Sequence, residues 1–106
     1  MSGYKVLKIY SDGSLHSPSI SSGVGNVEYK INDITVPLDG CGPLCVFRDL
    51  PSAYKNAWGL NTVIVKCHYK KSTYRDIWYK HADGYISSSV NIPKETVLCD
   101  EVIIVI

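Results

Sequence analysis

The feature that most constrains the fold is the run 97–106, VLCDEVIIVI, whose second half is apolar at every residue. A strand that is apolar on both faces is usually central in a sheet and covered on both sides. The run is also far shorter than the roughly 18–20 residues that a membrane-spanning helix needs. It therefore predicts a central strand around which the rest of the 106-residue chain folds.

Five further runs have the alternation or the apolar content of strands. They are 4–10, 27–31, 34–38, 44–47 and 62–69. The second and third runs are joined by an Asn-Asp turn, so we expect them to form a hairpin. The segment 70–91 shows no clean period, which predicts an exposed excursion or an irregular second hairpin.

One helix is predicted over about residues 49–58. Asp49 can cap its first turn, because the carboxylate can accept from the free N–H groups there. Pro51 is tolerated in that turn, where a missing N–H costs little. The apolar face at helical spacing consists of Leu50, Ala53, Tyr54, Ala57 and Trp58. The predicted fold class is α+β: one domain, 1–106, with a small mixed or mainly antiparallel sheet of four to five strands packed on this helix.

The net charge bears on whether the protein binds nucleic acid or membranes, and the cysteines bear on its redox compartment. A net charge of +1 gives no global attraction to nucleic acid or to anionic membranes. The first residues lack the apolar stretch of a secretion signal, so we expect a soluble, cytoplasmic protein with reduced cysteines. Cys67 and Cys99 lie in apolar runs and should pack in the core as small hydrophobes. Cys41, between two glycines, should be the most accessible thiol.

No complete set of catalytic or metal-binding residues is predicted. Cys41 and Cys45 have a C-x3-C spacing within the zinc range, but the second close pair that a zinc site usually has is missing. The three histidines are not part of a nucleophile-elbow sequence, and the glycine-rich turns precede strands rather than helices. We therefore expect no cofactor and no metal, and we lean towards a protein that is not an enzyme.

The stretch 66–80 interleaves cations with aromatic rings. The predicted interaction patch in it consists of Tyr69, Lys70, Lys71, Tyr74, Arg75, Trp78 and Tyr79. A protein partner would use Tyr, Trp and Arg as anchors. Nucleic acid would need the same mixture for stacking and phosphate contacts, but the near-neutral charge of the chain argues against it. The alternative is a solvated edge strand whose lysines prevent pairing with another chain.

Four segments resemble a family of small, uncharacterised bacterial, phage and viral proteins. They are GYKVL at 3–7, GPLCVFRDLPSA at 42–53, VKCHY at 65–69 and PKETVLCDEV at 93–102. The resemblance covers nearly the whole chain, and its motifs are structural. It implies a non-enzymatic accessory or interaction protein of viral or phage type, whose partner would be a host or viral protein.

Residues 40–58 also resemble part of the ADP-ribosyltransferase-like fold, in a strand followed by Phe-x-Asp, a helix and Ala. In that fold the strand and helix frame an NAD cleft. This resemblance implies an alternative function, a degenerate NAD-binding protein with Tyr54 and Glu101 near the cleft. The chain departs from the family on its first strand, which carries Lys5 and Lys8 where those enzymes have the His or Arg that holds the ribose.

Overall fold

The computed structural model describes residues 1–17, 27–57, 59–89 and 95–105. Strands account for 52% of the structure and helix for 7%, and the strands form a β-barrel-like sheet. The predicted α+β class is therefore wrong, because the core is built by strands that pack against each other and not by a sheet packed on a main helix.

The structure contains ten strands and one short helix in the described residues. The elements are β1 (Ser2–Ile9), β2 (Leu15–His16), β3 (Glu28–Tyr29), β4 (Ile34–Thr35), β5 (Cys41–Gly42), β6 (Leu44–Phe47), α1 (Leu50–Lys55), β7 (Thr62–Lys71), β8 (Ile77–Lys80), β9 (Ile86–Ser89) and β10 (Thr96–Val105).

Four antiparallel strands close the barrel. β1 pairs with β7 along its length, from Ser2 opposite His68 to Lys8 opposite Thr62. β7 then pairs with β10, and β10 pairs with β6. β6 returns to β1 through Tyr4 and Phe47, which lie opposite each other. The barrel therefore closes where β1 and β6 approach most closely.

A glycine is required at position 3, next to this closing pair. A Cβ there would lie 2.6 Å from the carbonyl oxygen of Phe47 and 3.1 Å from the ring of Tyr69. Gly3 therefore allows the two backbones to approach to the distance at which β1 and β6 pair.

Apolar side chains from every long strand fill the barrel interior. Its buried members are Leu7, Val27, Tyr29, Leu44, Val46, Cys67, Tyr69, Val97, Cys99, Val102 and Ile104. β10 contributes four of them and pairs with β4, β6 and β7. The prediction that 97–106 is a central strand is thus confirmed for its described residues.

The helix is shorter than predicted and lies outside the barrel. Asp49 caps it as expected, since its carboxylate accepts from the Ser52 N–H at 2.8 Å. Hydrogen bonding from the Ser52 side chain, together with this backbone bond, holds the pKa of the Asp49 carboxyl below its usual value. The helix ends at Asn56, whose side-chain amide donates to the Ser52 carbonyl oxygen at 2.9 Å. From the predicted apolar face, Ala53 is buried in a cluster with Val6 and Phe47 of the barrel wall, and the partly buried Ala57 packs against this cluster. Trp58 lies outside the described residues.

The predicted hairpin over 27–31 and 34–38 is wrong. β3 pairs with β2, whereas β4 pairs with β10, so the two runs contact different neighbours. The turn between them is tied to β10, because Asn32 donates its N–H to the Ile104 carbonyl oxygen at 2.9 Å. As a result Thr35 is buried, while the alternating Ile34 and Val36 are exposed.

The segment 70–91 contains the irregular second hairpin that was one of its two predicted forms. β7 continues to Lys71, and β8 pairs with β9 from Ile77 opposite Ser89 to Lys80 opposite Ile86. β5 adds a third strand on the other side of β8. This small sheet carries part of the predicted interaction patch.

Candidate binding surface

The structure separates the seven residues of the predicted patch. Tyr69 is 7% exposed and packs inside the barrel, so its ring does not reach the surface. Lys70, Lys71, Tyr74 and Arg75 are exposed, and Trp78 is half-buried. The side chain of Tyr79 lies outside what the structure describes.

The strand β7 presents a row of cationic side chains to solvent. Its inward residues Cys67 and Tyr69 alternate with the exposed Lys66, His68 and Lys70. Successive outward residues of a strand lie about 6.6 Å apart. The row therefore runs along the barrel wall, and it meets the 72–76 loop at its far end. We name as the basic–aromatic surface the exposed residues of β7 and the following loop together with the half-buried Trp78: Lys66, His68, Lys70, Lys71, Tyr74, Arg75 and Trp78.

The loop after β7 holds Tyr74 in a defined place. Ser72 is buried and donates its N–H to the Leu98 carbonyl oxygen at 2.9 Å. Its hydroxyl oxygen accepts from the Tyr74 N–H at 3.0 Å. The Tyr74 ring lies 5.7 Å from the Trp78 ring at 61°, an edge-to-face contact. The loop is thus anchored to β10 and presents an ordered tyrosine.

Trp78 is a packing residue as well as part of this surface. Its ring lies against Gly42, where a Cβ would come within 3.3 Å of the indole. The indole Nε1–H is buried and has no hydrogen-bond partner in the described part of the chain. Removing this ring would therefore disturb the contact between β5 and β8 as well as the surface.

The charge of this surface is poorly neutralised. The stretch 66–80 holds five Lys and Arg residues and one carboxylate, Asp76. Within the described ranges, the ion pair that forms is Lys55 with Glu95, at 4.0 Å, and neither residue belongs to the surface. Glu101 lies opposite Lys70 in the register of β10 and β7, but not within ion-pair distance.

A pocket of about 400 Å³ opens at one end of this cationic row. Its lining includes Ser2 and Tyr4 of β1, Arg48 after β6, and Lys66 and His68 of β7. The Ser2 hydroxyl lies 3.1 Å from His68 Nδ1. No carboxylate lines the pocket among the described residues. Sequence analysis missed this site, because Arg48 and Lys66 meet only through the pairing of both β6 and β7 with β1.

Lys5 is the most unusual polar residue of the interior, with 4% of its surface exposed. Its ammonium donates to the Cys45 carbonyl oxygen at 2.7 Å and lies 5.1 Å from the centre of the Tyr29 ring. Burial acts to lower the pKa of Lys5, but its electrostatic interactions with Cys45 and Tyr29 raise it, and the net pKa lies above the ordinary value. Lys5 therefore bridges β1 to β6 beside the closing pair as a cation.

The cysteine predictions are confirmed for the two core thiols. Cys67 and Cys99 are buried, and burial raises their pKa values to about 11 and about 12. Cys41 and Cys45 are half-buried, and all four cysteines are free. Among the described residues, no three His, Cys, Asp or Glu side chains come together as a metal site.

The residues of the NAD-binding alternative lie on different parts of the barrel. Tyr54 is exposed on α1, which packs against β1 and β6. Glu101 is half-buried on β10, opposite Lys70. The Ser2–His68 contact is also incomplete as a catalytic pair, since no carboxylate orients the imidazole within the described ranges.

No protein family, curated protein or solved structure matches the chain. The resemblances noted from the sequence therefore gain no support, and the viral or phage role is not carried further. None of the helical structure in the described residues has the length and apolar content of a membrane span.

Proposed function

We propose that the protein is a non-enzymatic binding protein that captures an acidic segment of a partner protein on the basic–aromatic surface. The observation that carries this proposal is the arrangement around Tyr74. This tyrosine is 55% exposed and is close in sequence to the exposed Lys70, Lys71 and Arg75, which have no ion-pair partner among the described residues.

The chemistry of these side chains suits carboxylates. Arg75 can hold a carboxylate with two parallel N–H donors, and the lysines add point charges that steer an acidic partner during its approach. Tyr74 supplies a ring with few rotatable bonds, the kind of side chain that contributes most to protein interfaces. The edge contact with Trp78 fixes this ring before binding, which reduces the entropy lost on association.

Nucleic acid is the less suitable ligand. Binding of single strands relies on several exposed ring faces on which successive bases stack. Trp78 is half-buried against Gly42 and in edge contact with Tyr74, so it does not offer a free face. An acidic peptide needs only one exposed ring with cations beside it, and this is the arrangement at Tyr74.

The proposal is tested with a fluorescent Asp/Glu-rich peptide, titrated at low and at physiological salt. We expect binding that weakens as salt rises, because exposed charges are screened. The triple variant Lys71→Gln/Tyr74→Ala/Arg75→Gln should weaken binding at least about tenfold, which corresponds to roughly 1.4 kcal/mol. Trp78 is kept in this variant so that the small sheet stays packed.

The matched control is Lys30→Gln/Tyr54→Ala/Lys55→Gln, which removes the same numbers of charges and rings from exposed positions elsewhere. It should bind the peptide nearly as tightly as the unchanged protein. Equal affinity of the two triple variants would contradict the proposal. If the protein binds a single-stranded oligonucleotide of the same charge more tightly than the acidic peptide, the ligand of this surface is nucleic acid and not an acidic protein segment.

A further inference from the structure

The pocket at the end of the β7 row shares Lys66 and His68 with the basic–aromatic surface, and it adds Ser2, Tyr4 and Arg48, which have no role in the proposed capture of carboxylates. We infer that it binds a phosphate monoester carried by a Ser, Thr or Tyr side chain of the acidic partner. This inference rests on the proposed function for the partner, but it can be tested separately through Arg48, which lines the pocket and lies outside the basic–aromatic surface.

Three strands bring the phosphate-binding groups together. Tyr4 of β1 lies opposite Phe47 on one side and opposite Lys66 on the other. This register places Arg48, which follows Phe47, and Lys66 at the same level of the barrel wall. Ser2, two residues before Tyr4, lies opposite His68 in the same way. The pocket is thus built by the barrel closure and not by a single loop.

The donor set favours phosphate over carboxylate. A phosphate monoester carries about −1.5 to −2 charges at neutral pH and has three strong acceptor oxygens. The lining offers the guanidinium of Arg48, the ammonium of Lys66, the imidazole of His68 and the hydroxyl of Ser2. The Ser2 hydroxyl and His68 Nδ1 already lie within hydrogen-bond distance of each other, so Arg48 and Lys66 are the two positive charges that the lining offers to a ligand, and a single carboxylate would neutralise only one of them.

The pocket and the proposed carboxylate site lie on one strand, and their spacing predicts a sequence motif. Lys66 lines the pocket, and Lys70 is the first of the lysines assigned to the carboxylate site near Tyr74. These two lysines are four residues apart on β7. At about 3.3 Å per residue this separation is about 13 Å, which an extended peptide also spans in four residues. A phosphorylated residue in the pocket should therefore be accompanied by acidic residues about four positions away.

Calorimetry with three probes tests the inference: a phosphoserine peptide with Asp-Glu four residues after the phosphoserine, its unphosphorylated form, and inorganic phosphate. We expect the phosphopeptide to bind at least about tenfold more tightly than the unphosphorylated peptide. Arg48→Gln should abolish this gain and leave the affinity for the unphosphorylated peptide unchanged. The control Lys8→Gln, at the opposite end of β1, should change neither value.

Three other outcomes separate the phosphate pocket from the proposed carboxylate site. If Arg48→Gln weakens the binding of both peptides equally, Arg48 attracts acidic peptides in general and does not recognise phosphate, and the inference is overturned. Inorganic phosphate that binds as tightly as the phosphopeptide would overturn the assignment to a partner side chain. If the phosphopeptide binds through Arg48 while the unphosphorylated peptide does not bind at all, the inference stands and the proposed carboxylate site fails.

Discussion

Gly3→Ala is the substitution that tests the barrel closure most sharply. The added methyl group would lie 2.6 Å from the Phe47 carbonyl oxygen, a separation that real Cβ atoms essentially never show. The obstacle is backbone, and the Tyr69 ring at 3.1 Å limits movement in another direction. The strand β1 must therefore shift away from β6 by several tenths of an ångström.

The expected cost has two opposing parts. Overpacking in a well-packed site typically costs about 1–3 kcal/mol. Replacing Gly by Ala also restricts the unfolded chain, which stabilises the fold by about 0.4–1 kcal/mol where the backbone conformation is permitted. The clash is the larger part, so we expect Gly3→Ala to lower the free energy of unfolding by about 1–2 kcal/mol.

Urea unfolding followed by circular dichroism measures this change, since ΔG at constant slope follows from the midpoint. Ser2→Ala is the matched control, because it changes an exposed neighbour on the same strand and should stay within about 0.5 kcal/mol of the unchanged protein. A Gly3→Ala protein as stable as this control, or more stable, would refute the closure of β1 on β6 described above.

Three further predictions concern the interior. The folded pKa of Lys5 lies above its unfolded value of 10.5, so the stability that its charge contributes is present below about pH 10 and is lost as pH rises further. The free energy of unfolding of Lys5→Met should therefore fall less steeply with pH in the alkaline range than that of the unchanged protein. Identical pH profiles of the two proteins would contradict this. Tyr29→Phe should change stability by less than about 1 kcal/mol in urea unfolding, because the buried Tyr29 hydroxyl has no hydrogen-bond partner in the described residues, and a loss of several kcal/mol would show a bond that the structure lacks. Cys67 and Cys99 should react with a thiol reagent at pH 8 only after unfolding, since burial keeps both thiols protonated, and rapid modification of the native protein at either site would argue against the core.

The strands of the barrel could largely be predicted because their signals are local. The apolar run of β10, the short buried β6 and the period of β7 all depend on neighbouring residues. That period also placed Tyr69 on the same face as Cys67, which is where the structure has it, although the predicted patch included Tyr69. The predicted helix is too long because apolar residues at helical spacing continue to Trp58. The observed helix ends at Lys55, where the following Asn56 caps it and donates its side-chain amide to the Ser52 carbonyl oxygen.

The pocket and the interior lysine could not be predicted, because both depend on long-range pairing. Arg48 and Lys66 are separated by 18 positions in the sequence and meet only because β6 and β7 both pair with β1. Lys5 shares the inward parity of Leu7, but its acceptor, the Cys45 carbonyl, is forty residues away. A local pattern therefore predicts to which face of the sheet a side chain points, whereas the strand register determines which residues that side chain contacts.

The most direct test of the account is a map of the acidic peptide on the isotope-labelled protein by NMR. Titration with the Asp/Glu-rich peptide should shift the backbone amides of residues 70–78, with smaller changes along the outward residues of β7. The exposed apolar run at 34–38 is the competing location for a protein partner. Shifts confined to that run, with none at Tyr74 and Arg75, would contradict the proposed function.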